Sequence, residues 1–461
     1  MNFTQIEYVI FLAVVTLVAA RLSRPTPRKW LLLAASYYFY CYWDVRFAGL
    51  LVFSTLLDYT VGRSLASATA VRSRRTWLGI SLVGNLGLLG FFKYFGFFVD
   101  SARAVLGEFG LDGSTLNIIL PIGISFYTFQ TLSYSIDVYR GRLVPCRRLL
   151  DFAIYVAFFP QLVAGPIVRA AEFLPQLERM LYPRPEQIYS GLAQILRGFV
   201  KKVLIADHLA ALVDPVMAVP EAFAWPTVAL AVLAYAGQIY GDFSGYSDIA
   251  IGSARLLGFE LPNNFAHPYL SRSPAEFWRR WHITLSTWLR DYLYIPLGGN
   301  RAGRVQTYRN LLATMTLGGL WHGASWNFVI WGLWHGVVLC VTRRWQPASQ
   351  ASRLRRGCET LATFAIVLAG WTIFRTTDLT RFAALWRQLL VPEQGLLWLP
   401  PYPLIALLLL VIEHAIWASR RRELLDLRAD HPATPWLVAV ALAALAIHAP
   451  SGFRPFVYFQ F

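Results

Sequence analysis

The sequence predicts an all-α, polytopic membrane protein, and three observations predict it. Of 461 residues, 56% are hydrophobic and only 15% are charged, against about 45–50% apolar and about 25% charged in soluble domains. The apolar excess falls in blocks long enough to cross a bilayer. The basic excess, 42 Lys and Arg against 26 Asp and Glu for a net charge of +16, falls in short clusters at the ends of those blocks, as the positive-inside rule requires of cytoplasmic loops. This pattern excludes a soluble enzyme, a disordered chain and a disulfide scaffold, and makes membrane lipids rather than nucleic acid the partner of the basic residues. The four cysteines, Cys41, Cys146, Cys340 and Cys358, form no CxxC pair, so neither zinc nor a disulfide framework is expected.

Each span follows from its run of apolar residues. Gln5–Leu22 comes first, and without a basic start it reads as an uncleaved anchor. Trp30–Trp43 and Phe47–Val61 are short and joined by a corner at Asp44–Arg46, then Trp77–Val99 is full length. Leu116–Val138, Phe152–Val168, Tyr189–Leu212 (with Lys201 and Lys202 inside it) and Pro226–Leu257 continue the series. Leu311–Val341, Thr360–Phe374, Pro403–Trp417 and Trp436–Ile447 complete it. The expectation is about eleven transmembrane or re-entrant helices, some broken. Arg clusters after the first, third and fifth blocks, at Arg343–Arg344, at Arg353–Arg356 and at Arg420–Arg422 put those loops in the cytoplasm. Both termini are then extracytoplasmic, with residues 449–461 an aromatic carboxyl tail. Without internal repeats, residues 1–461 read as a single domain.

The stretch Ser271–Arg304 is unusual. Ser273-Pro274-Ala275-Glu276 carries a cap, a first-turn proline and a capping-box glutamate. Phe277, Trp278, Trp281, Leu285, Trp288, Leu289 and Tyr292 fall on one helical stripe. Arg279, His282, Ser286 and Arg290 fall together beside it, and Pro296 with Gly298-Gly299 stops the helix. Two readings stand: an interfacial helix whose arginines meet lipid phosphates, or a re-entrant element that carries His282 to an internal cavity.

Five of the eight histidines, His208, His267, His414, His431 and His448, lie near helix ends or in loops and read as ordinary interface residues. His322 and His335 sit inside Leu311–Val341, in two copies of the triplet Trp-His-Gly. An ionisable side chain at that depth is costly and marks function. On an unbroken helix, 13 residues separate them by about 20 Å and about 220°. They share no site unless the helix breaks, and Gly318, Gly319 and Gly323 supply a break near His322. His335 reads as bonded to a neighbouring helix, whereas the Gly, Ala and Ser residues around His322 leave room for a ligand. No HExxH occurs, against a zinc protease.

At these residues the chain resembles the membrane-bound O-acyltransferase family. More narrowly, it is similar to the bacterial branch of alginate O-acetyltransferase, its cellulose- and peptidoglycan-acetylating relatives and the D-alanyl transferase of teichoic acids. The matching stretches are Pro121–Gln130, Phe159–Ile167, Gly241–Asp248, Phe277–Gly299 and Gly319–Ala324. The resemblance implies tilted helices around a central tunnel, with His322 at the position of the family's near-invariant histidine. It places His282, 40 residues earlier, at a position held by Asn, Asp or His in many members. The tail Phe456-Val457-Tyr458-Phe459-Gln460-Phe461 resembles an F-x-Y-x-x-F motif of the D-alanylation system. That likeness makes Tyr458 a candidate acyl acceptor, and an aromatic anchor at the interface is the other reading.

The implied reaction moves acetyl from cytoplasmic acetyl-coenzyme A, used as a substrate without a metal, across the bacterial inner membrane. The product is an O-acetylated extracytoplasmic polysaccharide, alginate-like before cellulose or peptidoglycan, made with a periplasmic acetyltransferase or acyl-carrier partner. His322 and His282 would be catalytic, and the residues that bind coenzyme are not specified. A polysaccharide or lipid-precursor transporter, or an export subunit, is the alternative; transporters often show pseudo-repeats, which this chain lacks.

Overall fold

In the computed structural model the described residues are 1–106, 118–163, 165–180, 182–301, 303–348, 350–376, 378–391, 394–420, 427, 431–449, 454 and 456. Helices dominate, and the β-type pairing among these residues is an isolated bridge between Phe223 and Leu396. Four helical runs, Val45–Ser67, Val71–Arg103, Arg353–Arg375 and Pro401–Arg420, are long and apolar enough to cross a membrane. The protein is a multi-pass membrane protein.

The chain forms two compact units, Met1–Gly191 with Ser253–Pro262, and Leu192–Gly252 with Asn263–Phe461. The first contains α1 (Ile6–Arg21), α2 (Pro25–Cys41), α3 (Ala48–Ser67) and α4 (Val71–Leu89), which passes through a π turn into α5 (Phe95–Leu106). Then come α6 (Ile124–Tyr139), α7 (Leu149–Ala157), α8 (Phe159–Leu162), α9 (Ala170–Arg179) and the start of α10 (Pro185–Phe199).

Two predicted boundaries move here. The span expected at Phe152–Val168 is broken, because Phe158 leaves the helix and Pro160 opens a new turn. Helix α2 starts at Pro25, so Arg28 and Lys29 lie inside it rather than in a loop. Both are buried. Lys29 pairs with Asp151 at 2.6 Å, and Arg28 donates to the Leu257 carbonyl at 2.8 Å while covering the Tyr182 ring.

Polar side chains also bind the spans of this unit together. Asp58 of α3 is fully buried and accepts from Ser81 of α4 and Ser135 of α6, each at 2.5 Å, and from Asn85 at 2.6 Å. Asn85 accepts in turn from Ser54 at 2.7 Å and Thr131 at 3.2 Å. A lipid-filled interior offers no water to these groups, so they must satisfy one another.

The second unit takes up the end of α10, a π-helical stretch at Val200–Ala206, α11 (Asp207–Ala218) and most of α12 (Trp225–Leu256). Helices α13 (Pro274–Arg280), α14 (Ile283–Leu289), α15 (Gly303–His322), α16 (Trp326–Val341), α17 (Arg353–Arg375), α18 (Leu379–Leu390), α19 (Pro401–Arg420) and α20 (Thr434–His448) follow. Glycines let α10 and α12 touch: a Cβ on Gly245 would meet the Gly198 carbonyl at 2.8 Å and the Lys202 amide at 3.0 Å.

That approach brings the buried Lys201 and Lys202 against the acids of the Gly241–Asp248 motif. Lys202 pairs with Asp207 at 2.6 Å and Asp242 at 2.7 Å, and Lys201 with Asp248 at 3.1 Å and Glu413 at 3.6 Å. Arg197 at 3.3 Å and Gln194 at 2.9 Å complete the shell of Asp248. His414 lies 3.1 Å from Glu413, and His267, 3.9 Å from it, packs on Trp417. Both imidazoles are buried, which corrects the interface placement expected for them; His267 reaches Glu413 across the chain, and His414 lies beside it in sequence.

Removing one partner of a buried pair strands the other, typically at about 3–5 kcal/mol. Lys202→Met should therefore lower the thermal midpoint in detergent markedly, and Lys202→Met with Asp242→Asn should recover part of the loss. Equal midpoints for wild type and Lys202→Met would contradict the pairing.

Candidate active site

The helix expected from Ser273 to Tyr292 starts as its sequence specifies. The Ser273 hydroxyl accepts from the Glu276 amide at 3.2 Å, and the Glu276 carboxylate reaches back to the Arg272 amide at 2.9 Å. The helix then breaks at Trp281 and His282, so Arg279, His282, Ser286 and Arg290 do not share a continuous face. His282 is left-handed, with φ 40° and ψ 57°, a conformation that costs a non-glycine residue about 1–3 kcal/mol.

Segment 264–266 bridges the break. The Asn264 carbonyl accepts from the Ile283 amide at 2.9 Å, and its side-chain oxygen accepts from the Thr284 amide at 3.3 Å and hydroxyl at 2.7 Å. The Ala266 amide donates to the Arg280 carbonyl at 3.0 Å. The kinked element is buried: Trp281, His282 and Phe277 are each at most 1% exposed. The imidazole is thus internal, while Arg279 and Arg290 of the same element are exposed.

The predicted span Leu311–Val341 is likewise two helices. Helix α15 ends at His322, residues 323–325 turn, and α16 runs back antiparallel. A Cβ on Gly319 would collide with the Phe328 carbonyl and meet Gly332 Cα at 2.9 Å. A Cβ on Gly332 would collide with the Met315 carbonyl and meet Thr316 Cα at 2.8 Å. Small residues at such a seam let backbones pack where lipid supplies no hydrophobic drive.

The turn at His322 and the kink at His282 bring the two imidazoles together, with ring centroids 6.5 Å apart. Aromatic rings enclose them. His322 packs edge-on against Trp331 at 5.1 Å, Trp321 at 5.2 Å and Phe374 at 5.5 Å. His282 meets Phe243 of α12 at 4.7 Å. Neither ring nitrogen of the buried His282 has a hydrogen-bond partner among the described residues, and a buried polar group left so calls for an explanation.

Phe243 also contacts Phe456, which is fully buried, 5.5 Å from Phe243 and 4.5 Å from Tyr246. Tyr458 lies outside the described residues. His335 does not join the pair; its ring packs on Trp278 at 5.0 Å and Trp331 at 4.9 Å, and its Nε2 has no hydrogen-bond partner among the described residues, unlike the interhelical bond expected.

The family model for membrane-bound O-acyltransferases matches residues 147–377, which contain both imidazoles. The chain belongs to the membrane-bound O-acyltransferase family. Its relatives include the probable alginate O-acetylase of Azotobacter vinelandii, 46% identical over 363 residues that cover 78% of this chain and 72% of that protein. The Pseudomonas aeruginosa counterpart is 47% identical over 363 residues, 78% and 69% of the two chains. The peptidoglycan O-acetyltransferase of Helicobacter pylori is 37% identical over 381 residues, 77% and 72% of the two chains.

In this membrane-bound O-acyltransferase, Asn264 and Phe243 were not singled out from sequence as site residues. Asn264 fixes the helix that follows His282, and Phe243 contacts both His282 and Phe456. The pair Asn263-Asn264, 18 residues before His282, carries a capping signal, but only the fold shows which helix it serves.

Overfilling a packed seam typically costs about 1–3 kcal/mol. Gly332→Val should therefore lower both the thermal midpoint and the yield of folded protein. Gly87→Ala, where an added Cβ meets nothing within 4 Å, should change neither; equal behaviour of the two variants would remove the seam from the account.

Proposed function

We propose that this acyltransferase moves an acetyl group from cytoplasmic acetyl-coenzyme A to a hydroxyl on the extracytoplasmic side of the bacterial inner membrane, for O-acetylation of a polysaccharide. An alginate-like polymer is the first choice, since the relatives at 46–47% identity are named as probable alginate O-acetylases. Peptidoglycan comes next, from the relative at 37%. The observation that carries the reading is the meeting of His282 and His322 at 6.5 Å inside an aromatic enclosure.

The chemistry follows from that pair. The acceptor hydroxyl oxygen attacks the thioester carbonyl carbon while His322 takes its proton, which general-base catalysis rewards by about 10²–10⁴ in rate. His322 ends a helix, where unpaired carbonyls favour a neighbouring cation, so the imidazolium is stabilised as it forms. The tetrahedral intermediate collapses, the carbon–sulfur bond breaks, and the proton on His322 passes to the leaving thiolate. His282, pinned by the Asn264 bridge, donates to the developing oxyanion or orients the acceptor; such preorganised donors act strongly where water is excluded. The surrounding tryptophans and phenylalanines exclude it here.

The acceptor is either Tyr458, as an acyl carrier, or a hydroxyl on a periplasmic acetyltransferase partner that then acetylates the polymer. Support for Tyr458 comes from Phe456: two residues of extended chain span at most about 7 Å, and Phe456 and His282 both contact the Phe243 ring. Positive charge at the predicted cytoplasmic loops supports the orientation.

Two substitutions test the assignment with purified protein and labelled acetyl-coenzyme A. His322→Ala should cut acetyl transfer by about 10²–10⁴ while membrane insertion and thermal midpoint persist; undiminished transfer refutes its role as base. Tyr458→Phe should abolish label retained on the protein and block polymer acetylation. Full activity in that variant leaves the tail as an anchor and the partner's hydroxyl as acceptor.

A further inference from the structure

The far end of the histidine hairpin holds a second concave feature. A pocket of about 320 Å³ is lined by Arg304, Tyr308, Arg343, Arg344 and Gln346. Arg304 and Tyr308 lie in the first turns of α15, and Arg343 and Arg344 in the 3₁₀ turn that continues α16. The two helices are still in register there, since Cys340 Sγ reaches the Tyr308 carbonyl at 3.8 Å. The Arg343 guanidinium sits 5.9 Å from the Tyr308 ring centre.

Several basic side chains of this unit are matched to acids: Arg197, Lys201 and Lys202 to Asp248, Asp242 and Asp207, Arg272 to Glu359, Arg375 to Asp214. No carboxylate among the described residues forms an ion pair with Arg304, Arg343 or Arg344. Three guanidinium groups therefore line one hollow with no ion-pair partner among the described residues.

We propose that this pocket binds the phosphate groups of a phosphorylated ligand, and that the ligand is the nucleotide end of the acyl donor. The guanidinium fork matches phosphate oxygens two at a time. The exposed Tyr308 ring offers a stacking face for a base. Position supports the donor over a passing anion. Arg304 precedes His322 by 18 residues of one helix, about 27 Å, comparable to the hydrocarbon thickness of a bilayer. A donor gripped at this end and reacting at the other spans the hairpin lengthwise, which suits a coenzyme with its phosphates at one end and its thioester at the other. The assignment rests on the acetyl-coenzyme A reading above.

The test uses the full-length protein in nanodiscs and the double variant Arg343→Gln, Arg344→Gln, whose exposed side chains carry no packing role. Free coenzyme A, as the probe, should bind about tenfold more weakly to the variant, the usual scale for lost charge-assisted hydrogen bonds. In turnover, the KM advantage of acetyl-coenzyme A over acetyl-pantetheine, which lacks the nucleotide and its phosphates, should shrink by a similar factor. Arg343→Lys with Arg344→Lys should restore part of the binding.

Unchanged affinity for coenzyme A, or an equal rise in KM for both donors, overturns the proposal. So does unchanged coenzyme affinity combined with a lost response to phosphatidylglycerol over phosphatidylcholine in the discs, which assigns the pocket to a lipid headgroup. Binding of coenzyme A is read without turnover, so a wild-type protein that binds it through these arginines yet releases none from acetyl-coenzyme A would fail the reaction scheme and not the pocket.

Discussion

Backbone contact at Gly319 and Gly332 is the constraint on which the site depends. With side chains there, α15 and α16 could not lie close enough to fold back on each other, and His322 would continue along a straight helix instead of ending one. The reversal places the imidazole at a turn and presses it against Trp331 of the returning helix and Phe374 of α17, which also touch each other. The same seam keeps the helices together as far as Tyr308 and Cys340. One packing decision thus shapes both ends of the hairpin.

The fold class was legible in the sequence because bilayer solvation is a local, additive property of apolar runs. Caps were legible for the same reason, and Ser273 and Glu276 behave as their spacing dictates. What could not be read was where a run bends. The break before His282 is held by Asn264, and the hydrogen bonds that compensate it come from a segment some 18 residues back, outside any helical periodicity. His322 and His282 each stood out on their own surroundings and were linked only through family resemblance, and their spacing in sequence carries no information about their distance in space. Gly318, Gly319 and Gly323 did signal a break near His322, but the depth of the seam became apparent only when Gly332 faced it.

The charged interior teaches the complementary lesson. Lys201 and Lys202 stood out as cations within an apolar block, yet apart from the nearby Asp207 their acids lie on α12 and α19, with Glu413 more than two hundred residues away. His267 looked unremarkable for the same reason, because Glu413 is distant from it in the chain, whereas His414 directly follows that carboxylate. In the first unit Asp58 gives the inverse case, a lone acid whose partners are hydroxyls and an amide on two other helices. Such groups are invisible to hydropathy averaging and become intelligible only as closed sets of donors and acceptors.

The left-handed backbone at residue 282 limits which side chains that site can accept. Asn, Asp and His enter that region several times more readily than other non-glycine residues. These are the three residue types that the family resemblance associates with this position. The kink therefore acts as a filter on evolutionary replacement: before any catalytic demand applies, the local geometry has narrowed the choice to short or ring-bearing polar groups able to exchange hydrogen bonds with a substrate.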